Sequence, residues 1–210
     1  MKLGNACHCN DLVEKDFINK MNKYIKEQSG KFIRTLLATL AGSLLPSLIS
    51  GNGLQRAEGL TRAGSRDWLS NGISNFDIDN YFNKRVAFPK DKLEGKIKPN
   101  EIFVVNLDDS DKKGSHWVAI KNSNGYSLCF DSYGLKPTDE IIRFADEAKF
   151  KVIYNTYRIQ SFPSTLCGLF SIDFLKSVHD RDSYLNWLLN YSASDFKGND
   201  RIVMKRLNLN

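Results

Sequence analysis

Two short apolar runs flanking a four-residue turn constrain this chain more than any other feature. They are His116-Trp117-Val118-Ala119-Ile120-Lys121 and Tyr126-Ser127-Leu128-Cys129-Phe130-Asp131, joined by Asn122-Ser123-Asn124-Gly125. β-Branched and aromatic residues favour strands, and a turn rich in Asn and ending in Gly supplies the backbone freedom a tight hairpin needs. An antiparallel hairpin follows, and its geometry decides where the polar ends go. With the turn at one end, His116 and Asp131 come side by side at the other. A carboxylate beside an imidazole fixes its tautomer and raises its basicity.

The flanking chain supplies the rest of a sheet. Residues 101–107 read as a buried strand and 108–115 as a polar turn. Residues 137–149 read as a helix, with Thr138 at its N-cap and Asp139 and Glu140 in its first turn. Residues 151–159 read as another strand, 76–82 as a short helical or turn segment, 91–100 as a charged loop and 182–190 as a short helix. No pattern is readable in the basic tail after Ser194. The predicted class is α+β, a mixed central sheet flanked by helices.

Gln160-Ser161-Phe162-Pro163-Ser164-Thr165-Leu166-Cys167-Gly168-Leu169-Phe170 is a polar loop that runs into an apolar helix ending near Val178. A thiol at a helix start meets unpaired N–H groups and the positive end of the helix dipole, which favour the thiolate. The same N–H groups hold a developing oxyanion, and a nearby Gln amide adds a donor. Cys167, His116, Asp131 and Gln160 thus form a candidate cysteine-nucleophile site, with Gln160 and the Cys167 backbone N–H as its oxyanion hole.

Upstream of residue 76 the composition differs. Residues 1–52 read as an N-terminal helical segment, membrane-active or a pro-segment, and 53–75 as a linker rich in Gly, Ser, Asn and Arg. From Lys31 to Ser50 the residues Ile33, Leu36, Leu37, Leu40, Leu44 and Leu48 recur at helical spacing. Such a helix lies in a membrane interface or docks on a protein core. Cys7-His8-Cys9 falls short of the four ligands of a closed zinc site, so no metal is expected. Four cysteines in 210 residues are too few for a disulfide framework, and residues 1–28 lack the apolar core of a secretory signal. The expected location is intracellular. The net charge of +6 allows a polyanionic partner.

Four motifs in order resemble those of the adenovirus-type processing proteases, which share a fold with the SUMO-specific proteases. Gly114-Ser115-His116-Trp117-Val118-Ala119 resembles their His-Trp strand, and Phe130-Asp131-Ser132-Tyr133-Gly134 their acidic residue before an aromatic-Gly turn. Gln160 and Cys167 have the family's spacing, and Cys167-Gly168-Leu169-Phe170 is similar to the adenoviral nucleophile motif. Tyr81-Phe82 through Phe88-Pro89 is similar to the family's substrate-side segment. The resemblance runs from about Phe76 to Val178. It implies Cys167 as nucleophile, His116 as general base, Asp131 as its orienter, Gln160 as oxyanion donor and Trp117 as a wall of the site. The acid is Asp, as in the SUMO proteases, where adenoviral enzymes usually carry Glu.

The resemblance further implies a cysteine endopeptidase (residues 76–210) that cuts capsid precursors at Gly-containing sites in a virion or in the host nucleus or cytoplasm. No cofactor is required for the chemistry, though the family uses DNA and a peptide as activators. No Cys lies between Cys129 and Cys167 to anchor a disulfide-linked peptide. Ile49-Ser50-Gly51-Asn52-Gly53 fits the family's cleavage pattern, which makes Asn52–Gly53 a self-cleavage candidate and Gly72–Ile73 a second one. The competing readings are a deSUMOylase or deubiquitinase of the same clan, and a membrane-active structural protein with an inactive protease-like domain.

Overall fold

The computed structural model describes residues 72–93, 98 and 100–209. The expectations about Lys31 to Ser50, Cys7-His8-Cys9 and the Asn52–Gly53 bond lie outside the described residues.

The strands β1 (Ala87–Pro89), β2 (Ile102–Asn106), β3 (Trp117–Ser123), β4 (Tyr126–Phe130) and β5 (Lys151–Tyr154) form one sheet, ordered as in the chain. β2, β3 and β4 make an antiparallel meander, and the edge strands β1 and β5 run parallel to their neighbours. A parallel neighbour needs a crossover, supplied between β4 and β5 by helix α2 (Asp139–Glu147). The protein is thus α+β with a mixed sheet flanked by helices. Ser123 pairs with Tyr126, so the hairpin closes through Asn124 and Gly125 alone, both at positive φ (49° and 76°). That is the Asn-Gly turn whose twist matches the strands.

Helix α3 (Cys167–Ser177) covers one face of the sheet, and its residues 167–175 are all buried. A helix apolar on every side must be enclosed. Phe174 stacks on Phe130 with ring centroids 5.3 Å apart, and Trp187 of α4 (Arg181–Leu188) meets Phe130 edge-on at 4.7 Å. On the other face Ile141 of α2 joins Val105, Val118, Ile120 and Cys129. Each such side chain contributes about 1.5–3 kcal/mol through burial. The buried Asp173 carboxylate accepts from Trp187 Nε1 at 2.7 Å, Tyr191 Oη at 2.7 Å and Arg206 Nε at 2.9 Å. It fastens α4 and α5 (Phe196–Arg206) to α3.

Several boundaries differ from the sequence-based expectation. The strand expected over 151–159 stops at Tyr154, because the next side chain, Asn155, leaves the ladder to bridge other backbone groups. Thr138 sits at the N-cap of α2 without a capping side-chain bond. The tail after Ser194 folds into α5, capped by Asp195, which accepts from the Gly198 N–H at 2.9 Å. β1 had no readable signal, being three residues long and ending on a proline, which an edge strand tolerates. Helix α1 (Asn75–Phe82) starts on a Ser74–Asp77 capping box. Ile73, within the stretch read as linker, is buried, and its carbonyl accepts the Trp117 indole N–H at 2.9 Å.

Ile73 also explains the glycine after Cys167. A Cβ on Gly168 would lie 2.1 Å from Ile73 Cγ2 and 3.2 Å from Trp117 Cδ1. Gly168→Ala should therefore lose about 1–3 kcal/mol in urea unfolding. Adding Ile73→Ala, which removes the clashing methyl, should recover part of that loss. An unchanged midpoint for Gly168→Ala would contradict the packing.

Candidate active site

His116 immediately precedes β3 and Asp131 immediately follows β4. The ladder ends at Ala119 opposite Phe130, so the two side chains meet diagonally across the open end of the hairpin. His116 Nε2 and Asp131 Oδ1 are 2.9 Å apart, both residues buried. The turn after β4 fixes the acid. Asp131 Oδ1 also accepts the Tyr133 N–H at 2.7 Å, and Gly134 N–H donates to the Asp131 carbonyl at 2.9 Å. Gly134 has φ 70°, and a Cβ there would lie 2.4 Å from the Tyr157 carbonyl carbon, so only glycine fits.

With Nε2 engaged by Asp131, Nδ1 is the ring nitrogen left for Cys167, with which His116 is hydrogen-bonded. Burial pushes the Cys167 thiol up, but the His116 charge, its hydrogen bond and the backbone N–H groups of Trp117 and Gly168 win, so the thiol lies below its ordinary range. Burial pulls His116 down, and the Cys167 thiolate and Asp131 more than reverse this, holding the imidazole above its usual range. The two opposite shifts favour a thiolate–imidazolium pair. Cys129 provides the contrast within the same fold: burial without a cation pushes its thiol up to about 12. Position decides reactivity here.

Gln160 is fully buried at the start of the loop that leads to Cys167. Its Oε1 accepts from Ser132 Oγ at 2.6 Å and its Nε2 donates to the Ser164 carbonyl at 2.6 Å. Because a carbonyl can only accept, this sets the amide orientation. The other Nε2 hydrogen points to the Tyr133 hydroxyl at 3.4 Å. The Cys167 N–H, at the first position of α3, belongs to the helix-start donors that lack an intrahelical partner. Trp117 is buried and packs close to Gly168, the residue after Cys167.

Residues that the sequence did not single out brace these groups. Ser132 accepts the N–H groups of Ile159 and Gln160 at 2.9 and 3.1 Å, so one residue links the acid turn to the Gln loop through backbone and side chain. Asn155 accepts the Asp131 N–H at 3.0 Å and donates to the Asp131 carbonyl at 2.6 Å. From α5, Asn199 donates to the Ile159 carbonyl at 2.7 Å, and Asp200 accepts from the Ser161 hydroxyl and N–H. The Tyr133 ring lies on His116 with centroids 4.9 Å apart, and Phe162 stacks on Tyr133 at 5.9 Å. Arg158 sits between Phe162 and Phe196, 3.7 and 3.9 Å from their centroids. Only Ser132 and Tyr133 had a cue, as neighbours of the expected acid. Among the described residues no group of three or more His, Cys, Asp or Glu is placed to hold a metal.

No protein-family model matches the chain, and no curated protein sequence does. Solved structures do match. One is the crystal structure of a selenomethionine-substituted protease of ASFV, 24% identical over 40% of this chain, with a TM-score of 0.31. The match spans 37% of that protein's length, well under half.

The pair of opposite shifts predicts a pH profile. A lowered thiol keeps Cys167 ionised as pH falls below the ordinary thiol range, and a raised imidazole keeps His116 charged as pH rises past neutrality. Alkylation by iodoacetamide, mapped by peptide mass spectrometry, should be fast and flat between those limits for Cys167, with Cys129 unlabelled. In His116→Ala the Cys167 rate should fall at neutral pH and climb only in the alkaline range, at or above the ordinary thiol value of about 8.5. A wild-type profile that already climbs in that way would contradict the ion pair.

Proposed function

We propose that the protein is a cysteine protease in which Cys167 attacks the scissile carbonyl. In this reading His116 holds the thiol proton and later delivers it to the leaving nitrogen, and Asp131 orients the imidazole. Gln160 and the Cys167 N–H serve the oxyanion. The observation that carries it is the line Asp131–His116–Cys167: a carboxylate 2.9 Å from one ring nitrogen and a thiol hydrogen-bonded to the imidazole, inside a buried site. A structural histidine needs no thiol. A structural thiol needs no cation.

The finer reading follows the resemblance noted above. The substrates are capsid precursor proteins of a virus or virus-like element, cut at Gly-containing sites, and the first is the chain itself between Asn52 and Gly53. DNA is the candidate activator by that resemblance, which the +6 charge permits, and the Lys31 to Ser50 segment is a candidate membrane contact once released. The closest rival is an isopeptidase acting on SUMO or ubiquitin conjugates, which the same four residues would serve equally well. A membrane-active protein with an inert domain is the more distant alternative, and the complete Cys167, His116, Asp131 and Gln160 set disfavours it.

Two measurements test this. Intact-mass analysis of purified wild type beside Cys167→Ala should show loss of residues 1–52 in the wild type only; the same full-length mass in both would contradict self-cleavage. Cleavage of an internally quenched peptide spanning residues 47–58 should exceed cleavage of a ubiquitin-like conjugate. His116→Ala should slow it by roughly 10²–10⁴-fold. Preference for the conjugate would favour the isopeptidase.

A further inference from the structure

The oxyanion donors expected from the sequence leave one hydroxyl unexplained. Tyr133 touches three of the four site residues: its ring lies on His116 with centroids 4.9 Å apart, its N–H donates to Asp131 Oδ1 at 2.7 Å, and its oxygen faces Gln160 Nε2 at 3.4 Å. Phe162 packs the outer face of the ring. The hydroxyl is therefore held in place from several sides, while the residue as a whole is only half-buried. Gln160 spends its best hydrogen bond on the Ser164 carbonyl at 2.6 Å, and its remaining N–H points at the Tyr133 oxygen. Among the described residues no acceptor takes the proton of the Tyr133 hydroxyl.

We propose that Tyr133 is a catalytic residue whose hydroxyl donates directly to the oxyanion, with Gln160 polarising it from behind. This rests on the protease reading and deepens it. The relay runs from Ser132 Oγ–H to Gln160 Oε1, from Gln160 Nε2–H to Tyr133 Oη, and from Tyr133 Oη–H to the substrate oxygen. Each link strengthens the next donor. As the Cys167 sulfur bonds to the carbonyl carbon, the π pair moves onto oxygen, where Tyr133 O–H and the Cys167 N–H stabilise it without giving up a proton. When the pair returns, the C–N bond breaks and the nitrogen takes its proton from His116. Burial, with the Cys167 and Asp131 charges, pushes the Tyr133 hydroxyl up to about 12, so it stays a donor throughout the working range.

Tyr133→Phe keeps both ring contacts and deletes only the donor. The test compares two reactions of Cys167 in the full-length protein. Acylation by p-nitrophenyl acetate passes through an oxyanion; alkylation by iodoacetamide does not. Tyr133→Phe should acylate at least tenfold more slowly than wild type, in line with loss of one oxyanion donor. Its alkylation rate should stay within twofold. Acylation unchanged in Tyr133→Phe, with the wild type active, would overturn the Tyr133 role alone. Equal loss in both reactions would also overturn it, since that pattern belongs to a ring that merely positions His116. A wild type acylated no faster than free cysteine would overturn the protease reading itself.

Discussion

His116 is the pivot of the molecule, because it must serve two partners that belong to distant parts of the chain. Asp131 comes from the same hairpin and Cys167 from a helix on one face of the sheet. Taking a carboxylate, an imidazole and a thiol out of water is costly for each alone. Together they are tolerable, since the imidazole lies between Asp131 and Cys167 and both of its ring nitrogens have partners. Remove the cation, and Cys167 becomes what Cys129 already is, a buried thiol held protonated by its surroundings.

Holding that arrangement takes structure well outside it. The open end of the β3–β4 hairpin is not closed by sheet hydrogen bonds, so the turn from Asp131 to Gly134 is clamped by Asn155, and Tyr184 braces the end of β4 by donating to the Cys129 carbonyl at 2.6 Å. Ser132 then carries that rigidity to Gln160, and Asn199 and Asp200 hold the loop from the other side. The C-terminal helix thus stabilises the donor side of the site without touching the thiol. Asp173 fastens that helix to the one that carries Cys167, so the thiol and the loop before it are tied to the same support.

Much of this was legible in the residues. Strand periodicity and the Asn124-Gly125 turn determine the hairpin, and a hairpin determines that His116 and Asp131 meet. The apolar run after Cys167 likewise specifies a buried helix, because no other environment suits it. What stayed hidden depends on long-range side-chain-to-backbone bonds. Asn155, Asn199 and Asp200 are ordinary polar residues whose partners lie far along the chain, and nothing local marks them. Helix α5 was hidden for a related reason: few of its residues are buried, and its charged residues mask the apolar spacing. The partner of the Trp117 indole N–H, the Ile73 carbonyl, was likewise hidden, a contact between residues 44 apart.

The ionic state of Cys167 is the claim on which the chemistry turns. Thiolate absorbance in the far ultraviolet, taken as the difference between wild type and Cys167→Ser across a pH titration, reports it without any substrate. The ion pair predicts a full thiolate signal at neutral pH that disappears only on acidification. A signal absent at neutral pH and rising in the alkaline range would show a protonated, unactivated thiol and contradict it.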